Sequence, residues 1–166
     1  IPNFDTENKK CFHPQNFDHV FRGPVALRDA LAQSINVPAV KVLYLAGLRD
    51  VLQNVQKFGI TTLADPNQYG LSLVLGGGGV HLSELVGAYA VLSQDGIKHA
   101  QSIILEVRDS EGNVLESYRA ENEVVADTES VRLVNNILSD VDARRGLFQT
   151  SWPLTVFPGY DVALKT

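Results

Sequence analysis

Residues 12–47 read FHPQNFDHVFRGPVALRDALAQSINVPAVKVLYLAG, and the way this stretch divides into turn and helix decides the fold. Pro14, Asn16 and Gly23 punctuate its first dozen residues. These read as an extended, turn-rich segment continuing back to Ile1, with Phe4, Phe12, Phe17 and Phe21 placed to pin it to a surface. From Pro24 the pattern turns helical. Val25, Leu27, Ala30 and Leu31 fall at helix spacing, and a proline suits a first helical turn because its missing N–H would have no partner there. That helix is expected to end near Ser34. A second is expected from Pro38, with Asn36 as its cap, Val40, Leu43, Tyr44 and Leu48 as its apolar stripe, and Gly47 as its end.

Farther along, 48–58 predicts a third helix, with Val51, Leu52, Val55 and Phe58 inward and Gly59 as its stop. Residues 60–80 read as loop, with an apolar run over 71–75 leading into Gly76, Gly77, Gly78 and Gly79. An amphipathic helix is expected over 82–94, closed by Asp95 and Gly96. A hairpin follows, with Ile103, Leu105 and Val107 on one arm, Val114 and Tyr118 on the other, and a turn over 109–113. A last helix covers 128–141, opened by a capped start at 127–130. Residues 160–166 alternate Val162, Leu164 and Thr166 against Asp161, Ala163 and Lys165, which predicts a strand. No repeat or internal linker divides the chain. The fold class is α+β: mainly helical, with a hairpin and the start of an antiparallel sheet.

Composition narrows the function. Of 166 residues, 45% are hydrophobic and 20% charged, the balance of an ordinary globular domain. The net charge is −5, and the basic residues do not cluster, which argues against a nucleic-acid partner because phosphate binding is driven by Lys and Arg. No apolar run approaches the roughly 20 residues that span a bilayer, so no membrane contact is expected from this segment. Cys11 is the one cysteine. It reads as an inert thiol. His13, His19, His81 and His99 show no zinc-like spacing, so neither a metal nor a cofactor is expected. The glycine run lacks the following Lys-Ser/Thr of a phosphate cradle and reads as a flexible turn. Glu84 reads as serving a helix dipole, Asp18 as bonding local backbone, and Arg28 and Asp29 as a solvated helix face.

Two short clusters carry chemistry. Ser34 and Asn36 lie two residues apart on a tight connection between helices, so a hydroxyl that passes protons and a carboxamide that binds a peptide group can face one cleft. Lys165 and Thr166 set an ammonium beside a hydroxyl, which suits a carboxylate. Each cluster alone also has a plain structural reading, as a helix end with a cap and as an exposed strand end.

The surrounding strings give these clusters a context. The stretch over 12–47 resembles the transpeptidase domain of class A (bifunctional) penicillin-binding proteins, in which a P-x-N-F/Y-D-x-x-F-x-G-P-V-x-L-R-x-A-L run leads into Ser-x-Asn and N-x-P-A-V. YGLSLVLGGGGVHLSELVGAYAVLSQDGI at 69–97 and VALKT at 162–166 resemble later parts of that domain, the last being the strand that enters its Lys-Thr-Gly motif. The resemblance implies that Ser34 relays a proton toward the leaving amine and that Asn36 binds the amide side of the acyl donor. It further implies that Lys165 sets the positive potential and proton network, and that Thr166 holds a substrate or β-lactam carboxylate. The implied reaction is D,D-transpeptidation, in which a serine is acylated by a peptidoglycan stem peptide and an amine from another stem resolves the acyl-enzyme. The implied setting is the extracytoplasmic face of the bacterial cytoplasmic membrane, in a membrane-anchored parent.

The family's nucleophile lies in Ser-x-x-Lys, and that pattern occurs nowhere in this chain. Residues 1–166 are therefore expected to be a partial transpeptidase domain truncated at both ends and inactive alone. The alternative is a non-catalytic binding or scaffold module on the same fold. A serine β-lactamase is disfavoured, because no Glu lies between Asn36 and Glu84 to activate water for deacylation.

Overall fold

The computed structural model describes residues 12–148, Tyr160 and residues 162–165. Its elements are α1 (Leu27–Ala32), α2 (Asn36–Ala46), α3 (Leu48–Lys57), α4 (Leu82–Ser93), α5 (Thr128–Leu138) and α6 (Val141–Arg144), with strands β1 (Ile97–His99), β2 (Glu106–Arg108), β3 (Val114–Ser117) and β4 (Asn122–Val124). Two 3₁₀ turns, Pro66–Gln68 and Leu71–Leu75, occupy the expected loop. The architecture is α+β, a helical body carrying two small antiparallel pairs, β1–β4 and β2–β3.

α3 carries its apolar residues on one face, whereas α2 is apolar nearly all round and leaves Val42 and Leu45 in solvent. Val40 and Leu43 are buried beside Leu71, and Leu52 is buried with Ile60, Leu63 and Ala88. Tyr44 is half exposed and lies outside this stripe. Gly47 and Gly59 end the two helices at positive φ, as their positions predict. The boundaries of the first two helices differ from expectation. α1 begins at Leu27, three residues after Pro24, and buries Ala30 and Ala32 while Leu27 faces solvent. α2 begins at Asn36 itself, with Pro38 still inside the first turn, where it costs no hydrogen bond. Its cap comes from outside the helix: Val37 N–H donates to Asn16 Oδ1 at 3.0 Å. Asn16 is buried and its Nδ2 donates to Val20 C=O at 2.7 Å. Asp18 accepts from Val20 N–H and pairs with Arg22, so it bonds locally, as expected. Phe12 packs on the Val40 cluster, whereas Phe17 and Phe21 are exposed and pin nothing.

Within the glycine run Gly77 and Gly78 are closely packed, whereas Gly76 and Gly79 have open space beside them. A Cβ on Gly78 would lie 2.7 Å from Leu73 Cδ1 and 2.9 Å from Leu63 Cδ2. α4 is apolar around most of its circumference. Ala88 and Val91 are buried, yet Leu82, Val86 and Tyr89 face solvent, so it is less amphipathic than its sequence predicts. Asp95 and Gly96 close it, both at positive φ. β2 and β3 form the expected hairpin, with a register shift between Val107 and Arg108 and a turn held by the Asp109 carboxylate. The β1–β4 pair has no counterpart among the sequence expectations, because three-residue strands carry too little alternation to read. α5 has the expected cap, Asp127 accepting from Ser130 N–H at 2.8 Å, but stops at Leu138. Asp140 then caps α6 through Ala143 N–H.

The strand expected over 160–166 does not form among the described residues, which have no ladder partner there. Leu164 N–H instead donates to Leu138 C=O at the end of α5, at 3.0 Å. Thr166, Phe4 and Cys11 lie outside the described residues.

Candidate active site

Ser34 sits where α1 turns into α2. The turn is a Schellman motif: Ile35 N–H donates to Ala30 C=O at 2.9 Å and Ser34 N–H to Leu31 C=O at 3.2 Å. The geometry requires a left-handed residue between them, and Ser34 takes φ 56°. Buried Ile35 and Ala30 anchor the turn from inside, which leaves the partly exposed Ser34 and Asn36 on its outer side.

The structure brings Ser34 together with Lys165. The Lys165 ammonium donates to Ser34 Oγ at 2.7 Å, across 131 positions of sequence. Desolvation at the ammonium end lowers the Lys165 pKa from its ordinary value, although the residue as a whole is exposed. A lysine so placed gives up its proton more readily. In this contact the ammonium is the donor and Ser34 Oγ the acceptor. Asn36 is directed differently: its Nδ2 donates to Gln15 C=O at 3.0 Å. One of its two N–H groups is therefore committed to the segment before α1, the same segment whose Asn16 caps α2.

The corner between α5 and α6 holds both halves of this arrangement. Arg28 donates to Asp140 Oδ2 at 2.9 Å and to Asn136 Oδ1 at 2.7 Å, so it is a tether, while its side chain stays partly solvated. Gln33 Nε2 donates to Ala143 C=O at 2.9 Å. On the other side, Arg144 Nη2 donates to the carbonyls of Leu138 and Leu164, the latter at 3.1 Å. Asn16, Arg28, Gln33 and Arg144 do not stand out as site residues in the sequence. Each acts on a partner that only the tertiary fold brings near, and periodicity carries no trace of it. For Arg144 the one local sign is its place just before Leu147 and Phe148, which are part-buried.

Glu84 lies in the first turn of α4, as its helix-dipole reading requires, and is also committed to the loop after α3. Its carboxylate accepts from the hydroxyl and backbone N–H of both Thr61 and Thr62, with the hydroxyl bonds at 2.6 and 2.9 Å. These bonds, the Thr61 hydroxyl first among them, hold its pKa below the ordinary carboxylate value. Among the described residues no group of three or more His, Cys, Asp or Glu side chains could hold a metal ion.

A family model described as the penicillin binding protein transpeptidase domain matches residues 2–166. Penicillin-binding protein 1A of Pseudomonas aeruginosa is 32% identical over 127 residues, covering 72% of this chain and 15% of that protein. The crystal structure of penicillin-binding protein 1A from Haemophilus influenzae superposes with a TM-score of 0.73 at 22% identity, covering 92% of this chain and 27% of that one. An imipenem acyl-enzyme complex of penicillin-binding protein A from M. tuberculosis superposes with a TM-score of 0.71 at 14% identity, covering 98% of this chain and 40% of that one. The chain thus spans less than half the length of each.

Proposed function

The chain belongs to the penicillin-binding protein transpeptidase family, of the class A type, and from that premise we propose that it supplies two walls of a serine D,D-transpeptidase cleft. Its substrates are peptidoglycan stem peptides, and β-lactams acylate the same site. The observation that carries this reading is the 2.7 Å contact between Lys165 Nζ and Ser34 Oγ. Two residues 131 positions apart meet as a proton donor and a hydroxyl, the pairing that a leaving amine needs.

In this reading Ser34 hands its hydroxyl proton to the departing D-Ala nitrogen, while Lys165 passes a proton to Ser34 Oγ. The second N–H of Asn36 binds the acyl donor's peptide carbonyl, and Thr166 holds the carboxylate. The attacking serine is none of the residues here, since no Ser-x-x-Lys occurs among them. It belongs to the remainder of the parent protein, which works at the extracytoplasmic face of the membrane.

The test uses that parent protein, with acylation by a fluorescent penicillin followed over time. Ser34→Ala and Lys165→Ala are each expected to slow acylation by about 10²- to 10⁴-fold, the range of a lost proton-transfer group, with the fold retained by circular dichroism. The 166-residue chain alone should give no covalent band on a denaturing gel. Undiminished acylation in both variants would refute the assignment.

A further inference from the structure

Among the described residues, Arg144 is the one buried charged residue that the proposed chemistry does not use. It is 2% exposed. A guanidinium taken out of water is costly unless its N–H groups are bonded, and here Nη2 serves two carbonyls, Leu138 C=O and Leu164 C=O. Leu138 C=O also accepts from Leu164 N–H. The result is a three-way clasp in which the end of α5, the guanidinium and the backbone of Leu164 fix one another. Lys165 is the next residue. The same corner holds α1 through Arg28 and Gln33, one residue before Ser34. A lysine ammonium has donors enough for the two carbonyls that Nη2 serves, but its flexible stem would not hold them as firmly as the planar guanidinium does.

We propose that Arg144 is the positioning residue for Lys165, clamping the Leu164 carbonyl to the α5–α6 corner so that the ammonium meets Ser34 Oγ. This rests on the reading of Ser34 and Lys165 given above and adds what sets their distance. Arg144 touches neither substrate nor reacting atoms.

The experiment measures acylation rate constants of the parent protein with a chromogenic cephalosporin, for Arg144→Met and Arg144→Lys, each alone and combined with Lys165→Ala. A displacement of about 1 Å costs on the order of 10²-fold in rate, so Arg144→Met should lose about that much, with Arg144→Lys intermediate. In the Lys165→Ala background either change should cost less than about threefold, because the group being positioned is gone. A role confined to stability would lower Tm and give the same fractional loss of rate in both backgrounds, and that result overturns the proposal. If Arg144→Met does not fold, Arg144→Lys carries the same comparison. Should Lys165→Ala itself leave acylation unchanged, the underlying pair is wrong and Arg144 has nothing to position. Losses in Lys165→Ala with full additivity reject Arg144 alone.

Discussion

Ser34 holds a backbone conformation that glycine adopts without steric cost. The same Schellman geometry closes α3, where Ile60 N–H donates to Val55 C=O and Gly59 N–H to Gln56 C=O, and there the left-handed position is Gly59 at φ 96°. α1 has serine in that place, and a non-glycine residue held there costs about 1–3 kcal/mol. The hydroxyl is what the fold gains in exchange, since no glycine can receive the Lys165 ammonium. Ser34→Gly is therefore expected to be more stable than Ser34→Ala by about 1 kcal/mol, since both lose the hydroxyl and only glycine relieves the backbone, while cutting penicillin acylation as deeply. Thermal denaturation and acylation kinetics on the same preparation check both halves. A Ser34→Gly variant no more stable than Ser34→Ala would show that the turn is not strained. In the sequence this site was half legible. The Ser-x-Asn spacing pointed to Ser34 and Asn36, but the strain and the commitment of Asn36 to Gln15 depend on backbone angles and a distant carbonyl.

At the scale of elements, caps and tethers decide where helices begin. Glu84, in the first turn of α4, takes four hydrogen bonds from Thr61 and Thr62 and so fastens the loop after α3 to α4. Its folded pKa lies below the ordinary glutamate value. A carboxylate of that kind contributes stability fully above the unfolded pKa and loses it as pH falls through the folded one. Glu84→Gln should thus lower Tm at neutral pH, since an amide turns donors toward donors. The gap between variant and wild type should close as pH drops below the usual glutamate range. A gap independent of pH would mean the carboxylate charge is irrelevant. Elements with local signals were legible in this way: Asp127 announces α5, and Gly47 and Gly59 announce two helix ends. Elements whose partners are remote were not. Asn36 looked like the cap of α2, yet Asn16 does that work from 21 positions away. Pro24 looked like the start of α1, yet the chain turns three residues later.

Across the whole molecule, burial is concentrated in the helices. Val40, Leu43, Leu52, Ala88 and Val91 form the interior, while β2, β3 and β4 have every residue exposed. Ile103 and Leu105, which lead into the hairpin, face solvent as well. The alternation that marked the hairpin in the sequence was real, but it said nothing about what its apolar face would meet. A two-stranded pair without a covered face is marginal in water, so its hydrogen bonds should open independently of the body. Amide exchange on the 166-residue chain should show 106–108 and 114–117 exchanging through local openings, insensitive to low denaturant. Leu43, Leu52 and Val91 should exchange only through a larger, denaturant-sensitive opening. If the hairpin amides instead merge with those of α2 to α4 into one cooperative event, the strands draw stability from the helical body, and the burial pattern is a poor guide to how this chain holds together.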